Sequence, residues 1–241
     1  MARFFVEMNL AVGETYDLPA DVVRHINVLR LRVSDEIKLF NGDGHDYVAK
    51  FVLLEKRQIQ VIICSALPVV NESPLRIHLL VALIANDKFD WVLQKAVELG
   101  VSQITPIYSQ NTQRFKGERL ESRLLHWQKI IIAASEQSGR ATLVELQPPQ
   151  ELTTVTKSTI SSTQKYILSP HHAGEFAAVD KSLESVALLI GPEGGFTEVE
   201  VELANKAGFQ SVMLGKRILR AETAALAGIC VLQSRFGDFV G

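Results

Sequence analysis

The sequence predicts an α/β protein with two domains: a helix-covered parallel sheet in its C-terminal two thirds, preceded by a small, mainly β domain. The chain has 241 residues, more than the ~100–150 residues of the usual single domain. Closely spaced strand patterns fill the first part, whereas strands alternate with amphipathic helices after it. The pattern changes at Asn71-Glu72-Ser73-Pro74, so we place the domains at residues 1–71 and 74–241.

Strand and turn patterns define the N-terminal domain. Residues 36–40 and 47–52 flank an Asn-Gly-Asp-Gly turn, which is a hairpin signal. A third strand pattern at 58–63 follows at the short spacing typical of a small barrel or curled sheet. One helix is predicted at 20–28, after Pro19.

Strands and helices alternate regularly in the C-terminal domain, and this alternation predicts a parallel sheet covered on both faces. Apolar runs predict the strands, while spacing of three and four residues predicts the helices. Strands are predicted at 76–85, 103–108, 165–168, 185–190 and 211–214, and helices at 87–99, 118–138, 197–207 and 222–236.

Composition excludes several classes of protein. Hydrophobic residues make up 47% and charged residues 22%, as in ordinary globular proteins. Apolar runs such as 79–85 are far too short to span a bilayer, and Glu7 interrupts the N-terminus too early for a secretory signal. A cytoplasmic location is therefore expected. Cys64 and Cys230 lack metal or redox spacing and lie in apolar surroundings, so they are interpreted as buried, reduced thiols and not as a disulfide or metal site.

The net charge of −2 argues against a protein that coats nucleic acid non-specifically. An RNA site would have to be a local basic patch. Such a patch is predicted in the N-terminal domain, the alternative being an ordinary solvated surface. Its members are Arg3, Arg24, His25, Arg30 and Arg32.

Two glycine-containing loops follow predicted strands in the C-terminal domain, at 190–196 and 214–223. Ligands of open parallel sheets bind outside the carboxyl ends of the strands, where these loops lie. The loops are either tight turns or a pocket rim. Neither matches the phosphate-binding or dinucleotide glycine spacings, which disfavours a nucleotide triphosphate and an oxidoreductase. Interleaved aliphatic residues suit an adenine held between apolar walls.

Four motifs resemble the RsmE family of bacterial methyltransferases: GPEGGF at 191–196, LGKRILRAETAAL at 214–226, KAVELGV at 95–101 and ASEQSGR at 134–140. This family methylates N3 of a uridine in 16S ribosomal RNA. The resemblance extends to the N-terminal Arg3-Phe4-Phe5 and to residues 25–30.

The resemblance implies a C-terminal SPOUT-type parallel sheet with a trefoil knot, preceded by a small PUA-like β-barrel. It also implies S-adenosylmethionine (SAM) in the knot, a homodimer, and 16S rRNA in the 30S subunit as partner. Only the resemblance supports the knot, because knots are rare in proteins. The SAM-binding residues it implies are Leu168, Ile190, Gly191, Pro192, Glu193, Gly194, Gly195, Leu214, Gly215, Ile218, Leu219 and Thr223.

This chain departs from the family pattern at two places. Gln110-Asn111 stands where relatives commonly carry Glu-Arg, and Val144 stands where a proline is frequent. The first difference casts doubt on an essential arginine at position 111. Arg114 is near enough to substitute in RNA binding.

Uridine N3 must lose a proton before it becomes a good nucleophile, so a cation near the base is expected to stabilise the anion. Arg220 is the leading candidate for stabilising this charge or positioning the base. The alternative is a salt bridge to Glu222, itself a catalytic candidate, or a contact at the helix terminus. Arg140, at the end of a predicted helix, is the second candidate; the alternative is a solvated arginine. Glu193 either orients the ammonium group of SAM or caps a turn.

Other readings remain open at this stage. The target base must be unpaired or flipped, because N3 lies on the Watson–Crick edge. His171-His172 has no partners with ligand spacing, so no metal is predicted. The alternative functions are a SPOUT enzyme acting on the ribose 2′-hydroxyl and a non-catalytic RNA binder in ribosome assembly.

Overall fold

The computed structural model describes residues 1–110, 112–157, 162–169, 174–176 and 183–239. The chain forms two compact units: Met1–Glu72 with Ile132–Leu143, and Ser73–Ile131 with Val144–Gly241. The division after Glu72 falls within the predicted boundary motif. None of the described helices is long and apolar enough to cross a membrane.

Residues 132–143 differ from the sequence-based division, which assigned them to the second domain. They belong to the first unit because the first strand bonds to them. Arg3 donates to the carbonyl oxygens of Ser135 and Arg140, at 2.8 and 2.7 Å. The Phe5 amide donates to the carboxylate of Glu136 at 2.9 Å. Side-chain bonds over such a sequence separation leave no trace in periodicity.

The first unit contains a five-stranded sheet in the order β1-β3-β4-β5-β2. β1 is parallel to β3, and the other neighbours are antiparallel. Its apolar core combines the inward faces of the strands with one side of α1. Closure into a barrel stays a prediction. The prediction that Cys64 is buried is wrong: it is exposed, because it follows buried Ile63 in the same strand and points to the opposite face of the sheet. The elements are β1 (Ala2–Phe5), β2 (Thr15–Asp17), α1 (Ala20–Leu29), β3 (Glu36–Phe40), β4 (His45–Leu54) and β5 (Ile59–Pro68).

The second unit contains a parallel sheet in the order β12-β10-β11-β6-β7-β8, with β9 also paired to β7. Every residue of β11 is buried, as expected of a strand covered on both faces. The elements are β6 (Arg76–Ala82), α2 (Asn86–Glu98), β7 (Gln103–Tyr108), α3 (Glu118–Ser138), β8 (Glu145–Leu146), β9 (Gln150–Glu151), α4 (Leu152–Val155), β10 (Gln164–Leu168), β11 (Ser185–Ile190), α5 (Glu198–Lys206), β12 (Gln210–Val212) and α6 (Ala221–Phe236).

The strand order reverses in the middle of this sheet. β11 lies between β10 and β6, and the chain then returns to place β12 on the far side of β10. All these pairs are parallel, so the carboxyl ends of β6, β10, β11 and β12 lie at one edge. A reversal of this kind leaves a crevice at that edge, where ligands of α/β proteins bind.

Candidate active site

A cavity of about 250 Å³ lies at the carboxyl ends of β10, β11 and β12. Most of its wall comes from the β11 loop (residues 191–197) and the β12 loop (residues 213–220), and α6 closes one side. The lining residues are Leu168, Ser169, Ile190, Gly191, Pro192, Glu193, Gly194, Gly195, Phe196, Val201, Val212, Met213, Leu214, Gly215, Arg217, Ile218, Leu219, Ala221 and Ala224.

The β11 loop is a turn fixed at its end by a helix cap. The amide of Gly195 donates to the carbonyl of Pro192 at 2.9 Å, and Gly195 has a φ of +72°. Thr197 and Glu200 form a capping box that begins α5. A Cβ at Gly194 would meet no protein atom within 4 Å. The chain around Gly194 is therefore not crowded, and a side chain there would extend into open space beside the cavity.

Glu193 connects the β11 loop to the residue before α2. One of its carboxylate oxygens accepts a hydrogen bond from the amide of Ala85 at 3.1 Å. The side chain is exposed. Glu193 thus caps a neighbouring turn, one of the two roles expected from the sequence.

The end of β12 is held by the segment that follows β10. The amide of Ser169 donates to Val212, and the amide of Met213 donates to Gly174. A Cβ on Gly174 would collide with the carbonyl oxygen of Ser211. This close approach requires glycine at position 174, and it fixes where the β12 loop leaves the sheet.

Arg220 is the N-cap residue of α6 and is exposed. It makes no ion pair with any residue that the structure describes, so the salt bridge to Glu222 is not present. Glu222 instead faces Lys88 of α2, with 3.8 Å between Oε1 and Nζ. Its buried Oε2 has no hydrogen-bond partner among the described residues.

Sequence reasoning placed one cofactor residue on the wrong helix face. Thr223 is exposed and does not line the cavity, whereas Ala221 and Ala224 do. These two alanines share a helix face because they are three residues apart, and Thr223 lies off that face. The other eleven residues predicted to hold SAM all line the cavity. Neither Arg220 nor Glu222 is part of the lining.

Several lining residues were missed, and Arg217 is the most informative of them. It and Glu193 are the charged side chains of the lining. Its position in the second glycine loop was visible in the sequence, but nothing distinguished it from Arg220 before the loop geometry was known. The other missed residues are Ser169, Phe196, Val201, Val212, Met213, Ala221 and Ala224.

Arg140, the second catalytic candidate, is a buried residue with a carboxylate partner. It belongs to the first unit, is only 4% exposed, and does not line the cavity. Its guanidinium forms a two-point ion pair with Glu72, at 2.9 and 2.6 Å. A buried guanidinium needs such a partner, so the motif arginine serves the fold.

Arg3 is also a structural residue and not a free RNA contact. Its side chain is 8% exposed, bonds Asp46 at 2.8 Å, and lies over the ring of Phe40. The remaining members of the predicted basic patch, Arg24, His25, Arg30 and Arg32, are all exposed. They are available to an RNA backbone, and their role stays a prediction.

Arg114 is exposed and pairs with Glu151 through two hydrogen bonds of 2.8 and 2.9 Å. These bonds lower the pKa of Glu151 and raise that of Arg114. Asn111, where the chain departs from its family, lies outside the described residues. So do His171 and His172, and no group of metal-binding side chains occurs in the described part.

Two family models match this chain. Residues 71–233 match the model of the RNA methyltransferase domain, and residues 18–64 match the RNA methyltransferase PUA domain. The first match covers the second unit's strand edge and both glycine loops. The chain belongs to the RNA methyltransferase family.

Individual relatives are similar to this chain over nearly its whole length. The ribosomal RNA small subunit methyltransferase E of Buchnera aphidicola (from Schizaphis graminum) is 32% identical over 98% of this chain and 97% of its own. The structure of the Neisseria gonorrhoeae enzyme of that name, bound to SAM, has a TM-score of 0.93 at 42% identity and covers both chains fully. A Legionella pneumophila methyltransferase with bound SAM has a TM-score of 0.93 at 36% identity, covering 98% of each chain. The RNA methyltransferase fold thus extends over the whole chain.

Proposed function

We propose that this protein transfers a methyl group from SAM to N3 of a uridine in 16S ribosomal RNA of the small subunit. The main observation behind this proposal is the cavity at the sheet edge where the strand order reverses. The two loops that bound it lie within the range that matches the RNA methyltransferase domain. Similar proteins from Neisseria gonorrhoeae and Legionella pneumophila contain SAM. Uridine N3 as the acceptor rests on the resemblance to the RsmE family.

The cavity has the surfaces that SAM requires. Ile190, Leu214 and Leu219 provide aliphatic walls for an adenine ring. Gly194 leaves the backbone open, so its amide and carbonyl groups can approach a ligand closely. When bound, SAM supplies an electrophilic methyl group on a positively charged sulfur.

Two arginines are proposed to act on the uracil. N3 gives its proton to water or a carboxylate, and the negative charge that remains spreads onto O2 and O4. A fixed guanidinium lowers the free energy of that anion. Arg217 lines the cavity, and Arg220 stands exposed at the start of α6 without a carboxylate partner in the described part. Arg217 is therefore proposed to face the reacting end, and Arg220 to hold the base or its charge.

Glu222 is proposed as a positioning residue. It lies in the first turn of α6, where the helix dipole favours a carboxylate, and it faces Lys88 of α2. The contact fixes the turn that presents Arg220. Glu193 is proposed to keep one oxygen available to the ammonium group of SAM while the other holds the Ala85 amide.

The finer features implied by the family are proposals as well. We propose that the C-terminal segment forms a trefoil knot, supported by the return of β12 past β10 and by the close packing of Gly174 on Ser211. We also propose a homodimer that acts in the cytoplasm on the 30S subunit. A traced experimental structure would show whether the chain is knotted.

Methyl transfer from labelled SAM to unmodified 30S subunits tests the function. We expect product with the unmodified protein and loss of about 100-fold or more with Arg217→Ala or Arg220→Ala, the size seen when an oxyanion-stabilising donor is removed. Lys206→Ala is the matched control, because Lys206 is an exposed cation paired with Glu202 on α5. Nucleoside mass spectrometry should find 3-methyluridine, and a 2′-O-methyl product would contradict the proposal.

Gly194→Val separates cofactor binding from folding. An added Cβ at this position meets no protein atom within 4 Å, and Gly194 does not have a positive φ, so the thermal midpoint should stay nearly unchanged. It should nevertheless abolish SAM binding in calorimetry, because it would take the space of the ligand. If the unmodified protein bound no SAM, a non-catalytic RNA binder would replace the proposed enzyme.

A further inference from the structure

The first two turns of α3 carry an arginine pair on an aromatic ring, away from the residues that line the cavity. The Cζ atoms of Arg119 and Arg123 lie 5.1 and 5.4 Å from the ring centre of Phe115. The two arginines are four residues apart, so they point from the same face of the helix. We call them the Arg119/Arg123 pair.

The ring beneath this pair is held firmly. The hydroxyl of Tyr108 donates to the carbonyl of Phe115 and accepts from its amide, both at 3.0 Å. Phe115 is 5% exposed, and its ring packs edge-on against buried Trp127. Guanidinium groups on a fixed ring lose less conformational freedom on binding than flexible surface cations do.

The pair has no carboxylate partner among the described residues, unlike Arg114, which Glu151 neutralises. Exposed Lys116 adds a further positive charge just before the helix. Like charges one helical turn apart destabilise a helix by about 0.2–0.5 kcal/mol. The first-turn carboxylates Glu118 and Glu121 complement the helix dipole but form no ion pair with either arginine in the described part of the chain. The stacked guanidinium groups are therefore open to an external anion.

We propose that the Arg119/Arg123 pair binds the phosphate backbone of ribosomal RNA, as a contact surface of the methyltransferase unit. This rests on the proposed function, which makes RNA the substrate. Planar guanidinium groups donate forked hydrogen bonds to phosphate oxygens. Because the whole chain carries a net charge of −2, its RNA affinity must come from such local sites.

Equilibrium binding of in vitro transcribed small-subunit rRNA over a range of salt concentrations tests this surface. Each phosphate contact contributes about 0.7–0.9 to the slope of log K against log salt, so Arg119→Gln with Arg123→Gln should reduce the slope by about 1.5. Glutamine keeps part of the alkyl stem on Phe115. The doubly substituted Arg→Lys protein keeps both charges and should retain the slope.

The control is Lys50→Ala with Lys206→Ala, which removes the same charge from two exposed ion pairs elsewhere. An unchanged slope in the glutamine protein would overturn the proposal, as would an equal decrease in the control. A glutamine protein that keeps its rRNA affinity but loses binding to 30S particles would assign the pair to a ribosomal protein and overturn it too. Methyl transfer is measured separately, so rRNA binding without turnover would count against the enzyme and not against this surface.

Discussion

At the scale of single residues, burial decides what each motif arginine does. Arg140 and Arg220 both belong to motifs shared with the RsmE family, yet one is buried against Glu72 and the other is exposed at the start of α6. A guanidinium with its donors engaged inside the protein cannot also reach a substrate. The same reasoning removes Arg3 from the RNA surface and leaves Arg24, Arg30 and Arg32 on it.

Substitution of Glu72 should therefore affect stability and not catalysis. Glu72→Ala leaves the buried guanidinium of Arg140 without its carboxylate. Breaking a buried pair costs about 3–5 kcal/mol, and partial exposure of Glu72 should reduce this to about 2 kcal/mol. Urea unfolding measures the loss, and methyl transfer per folded molecule should remain.

Arg140→Met is the companion variant, since it removes the charge and keeps much of the side-chain volume. We expect it to be less destabilising than Glu72→Ala, because the carboxylate left behind is 34% exposed and can be hydrated, whereas the guanidinium is only 5% exposed. A folded Arg140→Met protein without methyl transfer, at normal stability, would restore the catalytic role inferred from the sequence.

At the scale of elements, the strands that support the cavity contain a polar pair. His78 of β6 lies 2.8 Å from the hydroxyl of Thr105 in β7, measured from Nε2 to Oγ1. Burial lowers the pKa of His78 to about 4. The folded protein therefore favours the neutral imidazole in the middle of the sheet.

This pair predicts a loss of stability in mild acid. Below a pH of about 6.5 the unfolded chain binds a proton at His78, whereas the folded protein does not until about pH 4. The contribution of neutral His78 to the free energy of unfolding is thus complete above pH 6.5. It is lost as the pH falls toward 4, by about 2–3 kcal/mol. Urea unfolding at pH 7 and pH 5 measures it. His78→Val should flatten the pH dependence relative to the unmodified protein, and equal slopes in both would contradict the assignment.

Long elements were predictable from the sequence, and short ones were not. α3 has the predicted bounds because its apolar residues recur over several helical turns, and β11 has them because it is a continuous apolar run. β8 and β9 have two residues each and exist only through pairing with β7, so no local pattern could reveal them. Segment 132–143 was misassigned for a similar reason: its partners lie more than a hundred residues away.

The sequence predicted which loops form the candidate site, but not which side chains of those loops and of α6 line the cavity. Glycines after apolar strands pointed to both loops, because their place in a parallel sheet follows from the alternation of elements. Ala224 and Arg217 line the cavity and Thr223 and Arg220 do not, and this depends on the exact rotation of one helix and the path of one loop. Adjacent residues of a helix face directions about 100° apart, so an error of one position changes the answer.

At the scale of the whole molecule, each of the two units carries exposed basic side chains, and the cavity belongs to the second unit. The exposed arginines of the first unit and the Arg119/Arg123 pair of the second provide basic surfaces on a chain with a net charge of −2. The cavity has both apolar and polar walls, with Glu193 and Arg217 as its charged lining residues. A weakly charged protein with local basic sites should bind RNA in a strongly salt-dependent way.

If the protein is a homodimer, the fluorescence of one of its two tryptophans should change when the dimer dissociates. Trp127 is 2% exposed, whereas Trp91 of α2 is 43% exposed. A large exposed aromatic side chain is typical of a protein–protein interface.

Sedimentation should find twice the chain mass at micromolar concentration, and dilution should shift the Trp91 emission to longer wavelength as water reaches the ring. Trp127→Phe should leave this shift intact, because only Trp91 changes its environment, and Trp91→Glu should yield a monomer. A monomer of the unmodified protein throughout the concentration range would exclude the dimer, and a dimer with constant emission would place its interface away from α2.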